Sequence, residues 1–248
     1  MTRLKDRIAV VTGASRGIGY FTSLALAREG AHVIALARTV GGLEELDDAI
    51  REAGGSATLV PLDITDYDAL DRLGASIDER WGKLDIFIAN AGMLGPLSPL
   101  PHVTADAWEL VMRTNLNANW RLIRTLDPLL KLSDAGRAVV VTSNAATGKN
   151  AYWGPYAVSK AGVEALALTW AAESANTPLR VNIVDPGAVA SHMRSKAFPG
   201  ENPQTLTQPA DIAPMFMELV TPQQTPNGTV LHARDWLAAR NGGLASRD

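Results

Sequence analysis

The sequence predicts a doubly wound, all-parallel α/β sheet in a single domain, on three observations. Short β-branched runs alternate with amphipathic stretches along nearly the whole chain of 248 residues. The strand candidates are almost continuously apolar rather than alternating, the pattern of strands covered on both faces. The apolar content of 46% is enough to build one large core. Right-handed crossovers then make the doubly wound order the simplest topology.

Ile8 to Thr12 reads as the first strand, and Gly17 to Gly30 as a helix that stops on a glycine. His32 to Ala37 is the second strand, Leu43 to Ala53 a helix closed by Gly54-Gly55, and Ala57 to Leu62 the third strand. Ala69 to Trp81 follows as helix, Leu84 to Ala89 as strand, and Ala105 to Leu130 as one long helix. Arg137 to Ser143 is a strand and Tyr156 to Asn176 a helix, while Arg180 to Val184 and Thr229 to Ala233 supply the last strands. One region, Ala188 to Gln208, is weakly patterned and holds Pro199, Gly200 and Pro203. A stretch of that length inside a compact domain is usually a lid or binding loop, so a substrate lid is expected at about 188–208. No internal repeat, low-complexity tract or linker divides the chain.

Twenty-three basic and 26 acidic residues leave a net charge of −3 with no dense basic block. Nucleic acid and anionic membrane surfaces are therefore not expected partners. The charged start MTRLKDRIAV lacks the layout of a signal peptide. No apolar run reaches the roughly 20 residues of a membrane helix. The sequence contains no cysteine, which removes disulfides, thiolate catalysis and cysteine metal sites. A cytoplasmic protein without a metal centre is expected.

Immediately after the first strand stands Thr12-Gly13-Ala14-Ser15-Arg16-Gly17-Ile18-Gly19, three glycines where strand turns into helix. Such a turn lets backbone N–H groups approach a pyrophosphate at the positive end of a helix. The Gly-x-x-x-Gly-x-Gly spacing differs from the common dinucleotide fingerprint and lacks the Lys-Ser/Thr of a P-loop. Taken alone, the glycines also suit a plain tight turn; their place after the first strand of an alternating chain favours phosphate binding.

Tyr156 and Lys160 are four residues apart on one helix face. A phenol with a pKa of about 10 is a poor acid or base at neutral pH, and a nearby ammonium stabilises the phenolate. Tyr156 would then exchange a proton with a carbonyl or alcohol oxygen as hydride moves. The same spacing also describes an ordinary solvated helix face, so the pair by itself decides nothing.

The wider set of motifs decides more. Thr12 to Gly19, Asn90-Ala91-Gly92, Asn115, Ser143, Tyr156-Ala157-Val158-Ser159-Lys160 and Pro186-Gly187 stand in the order and spacing of the short-chain dehydrogenases/reductases. The sequence resembles that family from about Lys5 to the strand around Val230. The resemblance implies a Rossmann-like fold and an Asn-Ser-Tyr-Lys tetrad. In it Tyr156 is the general acid/base, and Ser143, thirteen residues earlier, hydrogen-bonds the substrate oxygen. Lys160 would hold the nicotinamide ribose and depress the Tyr156 pKa, and Asn115 would position a water that relays protons to Lys160.

For the cofactor, the resemblance implies contacts from Gly13, Ser15, Arg16, Gly17, Ile18 and Gly19 in the turn. Asp63 and Ile64 would meet the adenine, and Asn90, Ala91 and Gly92 the adenosine ribose. Pro186, Gly187, Val189 and Ser191 would underlie the nicotinamide, with Ser191 standing where the family often has threonine. At the end of the second strand, Ala37 occupies the position where an NAD-selective site places an acid, and Arg38 follows. With Arg16 on the other side, that favours NADP(H) over NAD(H). Two departures from the family stand out: Asp185 replaces a frequent asparagine before Pro-Gly, and His232 to Trp236 lacks the usual glycine pair.

The expected substrate is a small or medium carbonyl or alcohol with an apolar portion. Met93, Leu94, Trp153 and Phe198 would provide apolar walls, and Ser143, Asn144 and Tyr156 polar anchors. The resemblance also implies a homodimer or homotetramer, for which Leu110, Val111, Leu166 and Trp170 are candidate contacts. The rival to an oxidoreductase is a dinucleotide-sensing regulator on the same scaffold. Loss of tetrad residues would favour the sensor, and none is lost. The extended epimerase branch needs a C-terminal substrate domain for which this chain is too short, and enoyl reductases space their tyrosine and lysine more widely.

Overall fold

A strand such as Ile8–Thr12, buried at every position, offers no polar face to water and must be covered on both sides. The computed structural model, which describes residues 2–242, shows how that is done. Strands β1 (Ile8–Thr12), β2 (His32–Ala37), β3 (Ser56–Pro61), β4 (Ile86–Ala89), β5 (Arg137–Val141), β6 (Arg180–Asp185) and β7 (Val230–His232) form one sheet. Their order is β3-β2-β1-β4-β5-β6-β7, and every neighbouring pair is parallel. The chain winds outward from β1 to β3 and then returns to the other side of β1. That reversal opens a crevice at the carboxyl ends of β1 and β4, the usual ligand site of such sheets.

Alternation along each strand divides the core in two. Ala9, Val11, Val33, Ile86 and Ile88 face one layer of helices, formed by α1 (Gly17–Arg28), α2 (Val40–Glu52) and α8 (Pro209–Val220). Val10, Ile34, Phe87 and Val140 face the other, formed by α3 (Tyr67–Trp81), α5 (Ala118–Lys131) and α6 (Gly154–Glu173). Thus the expected Rossmann-like doubly wound sheet is the observed one, and strand limits differ from expectation by a residue or two.

Larger differences lie in the helices. The long helix expected over Ala105 to Leu130 is divided into α4 (Ala105–Met112), a π-helical turn at Arg113–Asn117, and α5. The inserted turn carries Asn115, and such turns often occur at functional sites. The weakly patterned stretch 188–208 holds the short helix α7 (His192–Ala197) and a 3-10 turn at Pro203–Thr205. Its ends are drawn together by a bridge between Val189 and Thr207. Helix α8 follows, with Pro209 in its first turn and Pro214 inside it, and α9 (Ala233–Gly242) succeeds β7. Trp236 and Arg240 of α9 both bond to Glu218 of α8, at 2.8 and 2.7 Å.

Two of the candidate contacts between subunits pack inside instead. Val111 and Trp170 are buried, and the Trp170 indole donates to Asp127 Oδ1 at 2.8 Å. Leu110 is exposed and Leu166 half-buried. Among the described residues, no helix is long and apolar enough to cross a membrane.

Candidate active site

The turn after β1 is built so that only glycine fits at key places. Gly13 and Gly17 adopt positive φ of 67° and 57°. A Cβ on Gly19 would lie 2.3 Å from the Gly13 oxygen and 2.6 Å from Asn90 Nδ2. The Thr12 hydroxyl accepts hydrogen bonds from the Asn90 and Ala91 amides, both at 3.0 Å, and Asn90 Nδ2 donates to the Thr12 oxygen at 2.9 Å. These bonds lock the turns after β1 and β4 together across the crevice. Arg16, at the start of α1, makes no side-chain cap, and among the described residues no side chain accepts from the first N–H groups of that helix. Close backbone with free N–H donors suits a pyrophosphate, and the residues present therefore fit a dinucleotide.

At the expected adenosine end stand Arg38 and Asp63, whose Nη1 and Oδ2 are 3.6 Å apart. Burial raises the Asp63 pKa, but bonds from the Thr65 amide and hydroxyl, both 2.9 Å, together with Arg38, hold it below the ordinary carboxylate range. Ile64 beside it is buried. Arg16 lies just past the end of β1, and Arg38 just past the end of β2. The β1–β2 register, Thr12 opposite Leu36, puts both at the same carboxyl edge.

The four residues expected to form a tetrad come from three elements. Ser143 follows β5, caps the 3-10 turn Asn144–Thr147 and accepts from the Ala145 amide at 3.2 Å. Tyr156 and Lys160 sit on α6, whose first turn accommodates Pro155. Lys160 is buried, and its Nζ donates to the Val141 oxygen at 2.7 Å. From the π turn, Asn115 accepts from the Met93 amide at 2.8 Å and donates to the Met93 oxygen and Ser159 Oγ, both at 2.9 Å. Ser159 in turn donates to the Tyr156 carbonyl at 2.8 Å. A Cβ on Gly92 would sit 3.3 Å from Asn115 Oδ1, a tight approach, and 3.7 Å from Lys160 Nζ, an ordinary contact.

Burial controls both titrating groups. It pushes Tyr156 up to about 12, with the Asp185 carboxylate adding to the rise and a hydrogen bond with Ser143 opposing it. It pushes Lys160 down to about 8. The sequence reading expects Lys160 to depress the phenol pKa. In this structure burial and Asp185 act in the opposite sense, and the ammonium lies 5.9 Å from the Tyr156 ring centroid.

At the expected nicotinamide end, Asp185 Oδ1 accepts from the Gly187 amide at 3.0 Å, and Oδ2 lies 3.2 Å from His232 Nδ1. Asp185 thus ties the Pro186-Gly187 turn to β7. Val189 is buried, and Ser191 Oγ accepts from the Arg194 amide at 3.2 Å, capping α7. Trp153 packs 5.9 Å from Tyr156 and 5.9 Å from Phe198, measured between ring centroids. Leu94, Ala145, Tyr156 and Ala157 form a small cluster, against which Trp153, Met193 and Ala197 pack. Met193 and Ala197 are additions that no sequence signal marks, because six residues are too few to show a helical period. Asn144 is exposed at the start of its turn.

Comparison with known proteins identifies relatives over most of the chain. The short chain dehydrogenase family model matches residues 7–202. The uncharacterized oxidoreductase YciK of Escherichia coli K12 is 38% identical over 220 residues, covering 88% of this chain and 87% of that protein. An uncharacterized NAD-dependent oxidoreductase of Mycobacterium tuberculosis is 38% identical over 204 residues, covering 77% of this chain and 74% of its own. A short chain dehydrogenase of Shigella flexneri 2a, crystallised with NADP, is 36% identical with a TM-score of 0.88, covering 94% of this chain and 99% of that one.

Proposed function

The chain belongs to the short chain dehydrogenase family of oxidoreductases, and from that premise we propose that it moves hydride between NADP(H) and a carbonyl or alcohol substrate, with Tyr156 exchanging the proton. The observation that carries this reading is the convergence of Ser143, Tyr156, Lys160 and Asn115 at the carboxyl edge of the sheet, beside a glycine turn with free helix N–H groups. Bound there, the nicotinamide supplies or accepts the hydride.

The protein supplies the rest. Ser143 holds the substrate oxygen, and Tyr156 hands its phenolic proton to that oxygen as hydride reaches the carbonyl carbon. A phenol raised to about 12 keeps its proton at neutral pH but is a poor acid, so the charge of Lys160 is needed to stabilise the phenolate as it forms. Lys160 balances the phenolate charge and holds the nicotinamide ribose. Asn115, bonded to Met93 and Ser159, fixes the start of α6 relative to the loop after β4. Gly13, Ser15, Gly17, Ile18 and Gly19 carry the pyrophosphate, and Arg16 and Arg38 the 2′-phosphate.

The test is NADPH oxidation on a panel of ketones and aldehydes, with Tyr156→Phe as control. Turnover by the wild type and a loss of about 10²–10⁴-fold in the variant, with cofactor binding retained, are expected. A Tyr156→Phe enzyme that keeps most of its kcat would refute the assignment.

A further inference from the structure

Arg194 makes two different contacts with one guanidinium. Its Nε and Nη2 donate to Glu201 Oε2 and Oε1 at 2.5 and 2.7 Å, a bidentate pair. Its Cζ lies 3.8 Å from the centroid of the Phe198 ring. A planar guanidinium bonded along its edge and stacked on its face is fixed in orientation by both. The two side chains are only 25% and 28% exposed, and Arg194 holds the Glu201 carboxyl below its ordinary range.

The geometry continues from this pair to the reacting end of the site. Phe198 lies against Trp153 at an interplanar angle of 37°, and Trp153 meets Tyr156 at 63°. Phe198 is itself 41% exposed, so it is no core residue and keeps surface to offer a ligand. Helix α7 has six residues, none of them buried, and a helix that short has no stability of its own. The Val189–Thr207 bridge anchors the ends of the segment, and the Arg194–Glu201 pair ties its middle.

We propose that Arg194 and Glu201 are positioning residues: they hold Phe198 against Trp153, and the aromatic wall so formed beside Tyr156 selects carbonyl compounds that carry a flat aryl group. Rings favour offset or edge-on contact with other rings, and that preference distinguishes an aryl ketone from a short aliphatic one of equal reactivity. The proposal rests on Tyr156 as the proton donor. Its mechanical part, the fixing of Phe198, does not.

The experiment combines Arg194→Ala, Glu201→Ala, their double variant, and Arg194→Ala on a Phe198→Leu background. Steady-state kinetics use an aryl ketone and a short aliphatic ketone, and amide hydrogen exchange is followed over residues 192–201 without substrate. Each single variant should raise KM for the aryl ketone about fivefold, leave its kcat within about twofold, and leave KM for the aliphatic ketone unchanged. The double variant should match the singles, since the two side chains act as one unit, and Arg194→Ala should add nothing once Phe198 is gone. Exchange over 192–201 should quicken in each single and no further in the double. Equal KM increases for both ketones, additive losses, or a further loss on the Phe198→Leu background would overturn the proposal. If the wild type reduces no carbonyl compound, the reductase reading fails, and exchange still decides the positioning role: unchanged exchange in the variants overturns it.

Discussion

Lys160 Nζ donates to the main-chain oxygen of Val141 at 2.7 Å, joining α6 to the end of β5 at the point where Ser143 and Tyr156 meet. The bond places a buried ammonium under the phenol, and burial makes that charge costly. Its pKa is brought from 10.5 down to about 8.

Two pH dependences follow from that value. Between about 8 and 10.5 the unfolded chain holds a proton on Lys160 that the folded chain has released, so stability rises with pH through that window. Below about 8 both states are protonated and the burial cost is complete; above 10.5 both are neutral and it vanishes. The difference in unfolding free energy between the wild type and Lys160→Met should therefore move in favour of the wild type from pH 8 to 10.5. Denaturant titrations at four or five pH values check this. In activity, kcat/KM for carbonyl reduction should fall above about pH 8, as the cation that balances the phenolate is lost. A basic limb found only near 12 would assign the loss to Tyr156 instead.

The glycine turn gives a second prediction. Gly19→Ala puts a methyl 2.3 Å from the Gly13 oxygen, and backbone must shift to admit it. We expect a loss of about 1–3 kcal/mol in stability. The cofactor dissociation constant should rise by tenfold or more, because the displaced groups are the N–H donors of the turn. Thermal unfolding and a fluorescence titration with NADPH measure the two. Unchanged cofactor affinity would remove the turn from the binding site.

These features were legible because their physics is local. Val10 and Val11 show a buried strand by composition, and Gly13, Gly17 and Gly19 mark a turn that no other residue can make so tightly. Elements defined by distant partners were not legible. Helix α8 carries Pro214, which local rules read as a break, and it stands because Ile212, Met215 and Phe216 bury themselves in the core shared with α1. The π turn at Arg113–Asn117 leaves the apolar period nearly intact, so it shows only in how Asn115 reaches Met93 and Ser159. Asp185 is visible as a departure from the family and its bond to Gly187 is local, but its contact with His232 depends on the meeting of β6 and β7.

A third prediction concerns self-association. Leu110, Trp120, Val158 and Leu168 are exposed on α4, α5 and α6, with 39–49% of each accessible. Exposed apolar side chains on adjacent helices suit a second copy of the chain. Light scattering at micromolar concentration should give a dimer or tetramer mass, and Trp120→Glu with Leu168→Glu should shift it toward the monomer. A monomeric wild type would dispose of the idea, and an oligomer indifferent to both changes would place the interface elsewhere.

The last prediction is cofactor preference. Arg38 follows Ala37 at the end of β2, so no acid waits there for a ribose 2′-hydroxyl. Its only ion-pair partner among the described residues is Asp63, 3.6 Å away, with the two side chains 74% and 44% exposed. An exposed pair of that length is worth about 0–1 kcal/mol, so it restrains the guanidinium little. A 2′-phosphate offers more, since charge-assisted hydrogen bonds contribute about 1.5–3 kcal/mol each. One such bond corresponds to about tenfold or more in affinity, and Arg16 at the same edge adds to it. The wild type should therefore show kcat/KM for NADPH at least about tenfold above that for NADH. Arg38→Asp should reverse the order, because a carboxylate there repels the phosphate and accepts from the bare 2′-hydroxyl of NADH. The proximity of Asp63 limits the gain with NADH, since two carboxylates at that edge repel each other. The loss with NADPH should accordingly exceed the gain with NADH. Equal use of both cofactors by the wild type, or an Arg38→Asp enzyme with unchanged preference, would sink the assignment.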